Sequence, residues 1–266
     1  MQHIIETITG QSLRDFAKEN IFDILGMQYT DYLPTIQQQD GKWINTVACP
    51  WMDWIAPTEK QKDGSVLCGQ VHDPLARILN GGISGNAGIF SNANDIGILA
   101  AALLNGGEYN GRRILSPLGV KTMCTVPREL TAFGRTPGWD IFSPYASNKG
   151  DLFSPNTFGH TGYTGTSIII DPDNDTAVIL LVNAVHPEDR HSIVRLRSLV
   201  ANAVAASICP PAQVYTDHYY KRFLQFETET PISPKDIVMV GNSLTENGGN
   251  WSKRLNKKNI RNRGII

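Results

Sequence analysis

The sequence has 266 residues, with 24 Lys and Arg against 25 Asp and Glu, and a formal net charge of −1. Hydrophobic residues make up 41% and charged residues 18%, enough apolar side chain for a packed core in one or two domains. The near-zero charge excludes a field that would draw the chain to nucleic acid or anionic lipid, and no apolar run is long enough to span a bilayer.

The chain opens like the interior of a fold. Met1 is followed by no basic stretch and no long apolar stretch, so residues 1–20 do not read as a signal peptide. Ile4, Ile5 and Ile8 share one helical face, and Gly10 ends that helix. Ser12 caps a second helix with Asp15 as its capping-box partner, Leu13, Phe16 and Ala17 form its stripe, and Gly26 closes it. From Pro34 to Val71 no period is visible. Trp43, Trp51 and Trp54 stand there among prolines and the Asp40-Gly41 and Asp63-Gly64 turns, a long excursion that reads as a lid, a binding loop or a plug on the core.

The glycine-rich run Gly81–Ser91 implies positive φ or close backbone approach. Ser91 is expected to cap a helix running to Leu104, with Ile96, Leu99, Ala100 and Leu103 inward and Asn105-Gly106-Gly107 as its stop. Ser116-Pro117 starts a short helix ending near Thr125. Ser167–Ile170 and Ala177–Val182 are β-branched and apolar and flank the turn sequence Asp171–Asp175, which predicts an antiparallel hairpin. Ser192–Ile208 reads as a helix with Ile193, Leu196, Val200 and Val204 on one face, ended by Cys209-Pro210-Pro211. Helices around an antiparallel sheet make the expected fold class α+β.

After Pro211 the composition changes. Aromatic residues stand among charges, and then the apolar run Ile237–Val240 leads into Gly241-Asn242-Ser243, as a βα unit begins. The basic residues Lys253, Arg254, Lys257, Lys258, Arg261 and Arg263 have no interleaved aromatics and read as a solvated helix face and loop. The expected division is 1–211 for the main domain, 212–234 for a linker and 235–266 for the start of a second domain. Cys49, Cys68, Cys124 and Cys209 form no Cys-x-x-Cys pair and have no His at ligand spacing. They are expected to be mostly small buried hydrophobes, and no metal or cofactor is expected.

The segment Phe158-Gly-His-Thr-Gly-Tyr-Thr-Gly-Thr-Ser167, followed by Ile-Ile-Ile-Asp-Pro, resembles the third motif of serine hydrolases of the β-lactamase and penicillin-binding-protein type. Thr7–Leu13 through Ile21–Met27 is similar to the helix pair after that family's second motif. Ala56–Glu59, Val71–Pro74 and the glycine run before Phe90-Ser91 are similar to its middle region. The resemblance covers residues 1 to about 208 and implies a β-lactamase-like antiparallel sheet with flanking helices, incomplete in this chain.

It also implies site roles. The backbone N–H of Tyr163 would be one oxyanion donor, Gly162 would let substrate approach, Thr161 would supply a hydroxyl contact, and His160 would orient or polarise substrate or the catalytic tyrosine region. In the family the nucleophile lies in Ser-x-x-Lys, and no serine in these 266 residues has Lys three positions later. A Tyr-x-Asn or Ser-x-Asn second motif is also absent where it belongs. Met1 is therefore expected to be an internal methionine of a longer parent or a misplaced start, and the parent to be secreted, periplasmic or of the cell envelope.

A second resemblance is Val238–Glu246, similar to the opening block of GDSL/SGNH esterases with Asn242 in place of Asp. It implies Ser243 as a nucleophile at the start of an SGNH-type α/β domain. The function implied is acyl-enzyme hydrolysis of a small ester, amide or cell-wall peptide, weak or absent in this chain alone. The alternative is a non-catalytic module that binds cell-wall peptide or glycan.

Overall fold

The computed structural model describes residues 1–190, 192–208, 217–241 and 247–264. The chain folds as two compact units, Met1–Ser207 and Ile208–Ile266.

The first unit begins with α1 (Gln2–Thr9), stopped by Gly10 in the left-handed conformation at φ 71°. Ser12 caps α2 (Leu13–Ala17) by accepting from the Asp15 amide. Its hydroxyl also donates to the Asp15 carboxylate at 2.7 Å, so the side chains bond each other where a reciprocal capping box was expected. The helix continues through a wider turn, Lys18–Phe22, into α3 (Asp23–Leu25), and Gly26 ends it at φ 74°. Leu13, Ala17, Phe22, Leu25 and Met27 bury one face of this segment against Tyr32 and Ala102.

The excursion after Pro34 is not wholly irregular. The short strands β2 (Thr35–Gln37) and β3 (Trp43–Asn45) pair antiparallel across the Asp40-Gly41 turn, too few residues to show a period of two. Beside them, β1 (Asp31–Tyr32) pairs antiparallel with β4 (Ile89–Phe90). Of the tryptophans, Trp43 and Trp51 are half-buried and Trp54 is 75% exposed, its ring 5.6 Å from that of Tyr29.

The spine of the unit is α4 (Ala93–Leu104), followed by the short antiparallel pair β5 (Glu108–Tyr109) and β6 (Arg112–Arg113). The N-cap of α4 is Asn92, whose side chain accepts from the Asp95 amide, and not Ser91 as expected. Ser91 instead shares a 2.7 Å hydrogen bond with Thr30, which also bonds the buried Asp95 carboxylate. One residue to the C-terminal side, an amide side chain reaches the N3 amide and frees the serine for tertiary contact. Ala102 faces the first core, while Ala100 and Leu103 face a second, made with Val120 of α5 (Pro117–Cys124), Ile141, Phe158 and Ile170.

The main sheet has three antiparallel strands in the order β7 (Phe158–Thr161), β8 (Ser167–Asp171), β9 (Thr176–Leu180). In β8, Ile169 and Ile170 are both buried. A central strand covered on both faces reads as a continuous apolar run, as Ile168-Ile169-Ile170 does. Each fully buried isoleucine contributes about 2 kcal/mol of transfer free energy. The hairpin turn is fixed by Asp171, 1% exposed, which accepts from the Ser154 hydroxyl and amide, the Asp173 amide and the Asn174 side chain.

The last helix of this unit, α6 (Val194–Ser207), does not turn Leu196 inward as expected. Leu196 is 43% exposed, Ala201 is buried, and Arg197 lies on the protein side. The cysteines are less buried than expected: Cys68 is exposed, Cys49 and Cys124 are half-buried, and all three are free. Burial pushes the Cys124 thiol up to about 11. Cys209 lies outside the described residues.

In the second unit, the stretch expected as a linker carries a helix, α7 (Asp217–Thr228). β10 (Ile237–Gly241) pairs parallel with β11 (Ile260–Gly264), and a short helix, Trp251–Arg254, lies on the crossover. Part of the basic run is paired within the unit: Arg263 bonds Glu229 and lies over the Phe226 ring, and Arg261 pairs with Asp236 at 3.4 Å. No described helix is long and apolar enough to cross a membrane.

Candidate active site

The candidate site is the end of β7 and the connection to β8. Thr161 opposes Ser167 in the sheet register, so the chain must reverse over Gly162–Thr166. Two glycines make this possible. A Cβ at Gly162 would lie 2.3 Å from the Thr166 hydroxyl oxygen, and Gly165 has φ 122° with the Val182 carbonyl 2.4 Å from where its Cβ would be. Within the reversal, the Gly162 amide donates to the Thr166 carbonyl at 2.7 Å, and the Gly165 amide donates to the Gly162 carbonyl at 3.1 Å. The Ala184 amide donates to the Thr164 carbonyl at 2.7 Å. Among the described residues, the Tyr163 amide donates to no protein acceptor.

The structure therefore brings His160, Thr161, Gly162 and Tyr163 together on one strand end. His160 is exposed, with Nδ1 2.9 Å from its neighbour's carbonyl, Thr161 O. Since a carbonyl only accepts, this contact places a proton on Nδ1, and among the described residues Nε2 has no hydrogen-bond partner. Thr161 is half-buried. The Tyr163 ring is 75% exposed but not loose. Its hydroxyl donates to the Asp189 carboxylate, and its ring stacks on His72 at 5.7 Å and 21°. The hydrogen bond to Asp189, and then that carboxylate's charge, hold the phenol above its ordinary range. Ser243, the remaining expected site residue, lies outside the described residues.

Two loops carry the partners of Tyr163, and they are bonded to one another. The Lys60 amide donates to the Pro187 carbonyl at 2.9 Å, His186 Nδ1 lies 2.8 Å from the Thr58 carbonyl, and the Asn183 side chain donates to the Pro57 carbonyl. His72 is placed by the buried Arg77, which donates to the Val71 and His72 carbonyls at 2.6 and 2.9 Å. Burial pushes the Arg77 guanidinium down, against the attraction of Asp73 and Glu59. His72 Nε2 is 3.3 Å from the Glu59 carboxylate without the alignment of a hydrogen bond, an ion-pair distance only. From below, Arg197 Nη2 donates to the Gly162 carbonyl at 2.8 Å and to the Thr166 carbonyl at 2.9 Å. Among the described residues, no group of three or more His, Cys, Asp or Glu is placed to hold a metal ion.

Residues 1–202 match the family described as Beta-lactamase. The chain belongs to the β-lactamase family. An Escherichia coli protein provisionally designated a D-alanyl-D-alanine carboxypeptidase is 36% identical over 197 residues, covering 69% of this chain and 42% of that protein. A Salmonella gallinarum protein with the same designation is 34% identical over 197 residues, covering 69% of this chain and 43% of its own length. The chain thus spans about two fifths of the length of these curated relatives. Among solved structures, simvastatin synthase from Aspergillus terreus superposes with a TM-score of 0.52 at 16% identity, covering 79% of this chain and 54% of that one. That likeness is one of fold.

In this member of the β-lactamase family, the residues around the strand end were only partly visible in the sequence. Glu59 and His72 stood in stretches with the family's look, but nothing linked them to Tyr163. Asp189 sits in a polar loop without a signal. Arg197 gave none either: only the fold shows that it shares the inward side of its helix with the buried Ala201.

Proposed function

We propose that the unit Met1–Ser207 carries the oxyanion and substrate wall of a serine acyl hydrolase acting on D-amino-acid peptides, with esters and β-lactam-like amides as related acyl donors. In this reading the Tyr163 N–H meets the substrate carbonyl oxygen as it gains negative charge. Gly162 keeps the wall open, Thr161 offers a hydroxyl, and Nε2 of His160 orients the leaving group. The observation that carries the reading is the unspent Tyr163 amide beside a Gly162 amide and carbonyl that are both bonded, the Thr164 and Thr166 amides of the same turn likewise donating to no described protein acceptor. The designation of the curated relatives favours a peptide ending in D-alanine as the substrate class. In this reading the whole protein works where such peptides occur, outside the cytoplasm.

The test is a titration of the 15N-labelled chain with an N-acyl-D-alanyl-D-alanine peptide. The expected result is a saturable shift of the His160, Thr161 and Tyr163 amides, abolished in Gly162→Val. Shifts confined to other surfaces, or none, would remove the reading.

For the second unit we propose the opening βα segment of a GDSL-type hydrolase with Ser243 as its serine. The parallel pairing of β10 with β11 supports it. A fluorophosphonate should then label Ser243 ahead of Ser252 and the other serines, and even labelling of all of them would count against it.

A further inference from the structure

The Gly162 carbonyl and the Tyr163 N–H belong to one peptide group. Resonance couples them, so a donor that pulls electron density onto the oxygen makes the N–H more positive and a stronger donor in turn. The donor here is a charged one. Arg197 Nη2 bonds the Gly162 oxygen at 2.8 Å and the Thr166 oxygen at 2.9 Å, and its Nε is buried without a hydrogen-bond partner. Among the described residues, no carboxylate lies within ion-pair distance of this guanidinium. Burial accordingly lowers its proton affinity, with no opposing charge to restore it.

A half-buried cation facing only carbonyl dipoles is a costly arrangement. Its charge is left for whatever anion arrives on the far side of the peptide. We propose that Arg197 is a positioning and polarising residue that acts through the Gly162–Tyr163 peptide, strengthening the Tyr163 N–H toward a developing oxyanion. This rests on the reading of Tyr163 given above. It adds that the wall draws on a full charge from α6 and not on a neutral amide alone. A purely structural Arg197 would hold the turn and leave the donor strength of that amide unchanged.

The two roles separate by NMR on the full 15N-labelled chain, with Arg197→Met and Arg197→Lys beside the wild type and acetate as the anion probe. Arg197→Met should move the Tyr163 amide proton upfield and weaken acetate binding there about tenfold, the scale of losing one nearby charge. Arg197→Lys keeps the charge and should recover most of both effects. The amides of Ile168, Ile169 and Ile170 should stay in place in both variants. A Tyr163 amide unchanged in Arg197→Met would overturn the inference. So would a shift shared by all of β7 and β8, the mark of a clamp alone. An Arg197-dependent shift in a protein whose Tyr163 amide ignores acetate would uphold the coupling and count against Tyr163 as an oxyanion donor.

Discussion

At the scale of single residues, one carboxylate shows how the hairpin behind the site is held. Asp171 is buried, and burial alone would raise its proton affinity. Hydrogen bonds from the Ser154 hydroxyl and amide, the Asn174 side chain and the Asp173 amide outweigh that, and its pKa falls below 3.8. A folded-state pKa below the unfolded value makes the ionised form stabilising. That contribution is complete above the unfolded value of about 3.9 and is lost as pH falls through the folded value. Asp171→Ala should cost on the order of 3 kcal/mol at neutral pH, since it strands several donors at once. Urea melts at pH 7 and pH 3 should show the gap between wild type and variant shrinking at the lower pH. An equal gap at both would assign the loss to packing and not to charge.

At the scale of elements, glycine sets how closely strands approach. A Cβ at Gly159 would lie 2.2 Å from the Ile168 carbonyl oxygen across the β7–β8 ladder. Gly159→Val should therefore separate these strands and unfold the site end of the sheet, measured as lost amide protection in His160 and Ile168. Asn92→Ala should remove a helix cap and cost about 1 kcal/mol in a urea melt. Long elements with strong local chemistry were legible in the sequence. The Asp171–Asp175 turn, the Ser116-Pro117 start and the glycine stops at Gly10 and Gly26 each act within a few residues. The strand that carries His160 and Thr161 was legible through its motif. Hidden were features decided by tertiary contact: Asn92 capping in place of Ser91, Leu196 turned outward while Arg197 turned in, and the two-residue and three-residue strands of the excursion. His72, Glu59 and Asp189 reach Tyr163 only because separate loops are bonded together, and no spacing along the chain encodes that meeting.

At the scale of the molecule, the role proposed for the parts described is an oxyanion and substrate wall, and the chain spans about two fifths of its curated relatives. No serine among the 266 residues has the lysine three positions on that family chemistry uses. On the proposed reading, such a wall without an activated hydroxyl would bind but turn over poorly. Purified chain should hydrolyse nitrocefin and a p-nitrophenyl ester close to the uncatalysed rate, and enzyme-like turnover persisting in Ser243→Ala would contradict this. The central claim is that the Tyr163 N–H is held open for a substrate oxygen. A crystal structure of the chain with an N-acyl-D-alanyl-D-alanine peptide tests it most directly. The expected complex has the acyl oxygen about 2.9 Å from the Tyr163 nitrogen, with Arg197 still on the Gly162 carbonyl. A Tyr163 amide bonded to a protein carbonyl, or a peptide seated elsewhere, would contradict it.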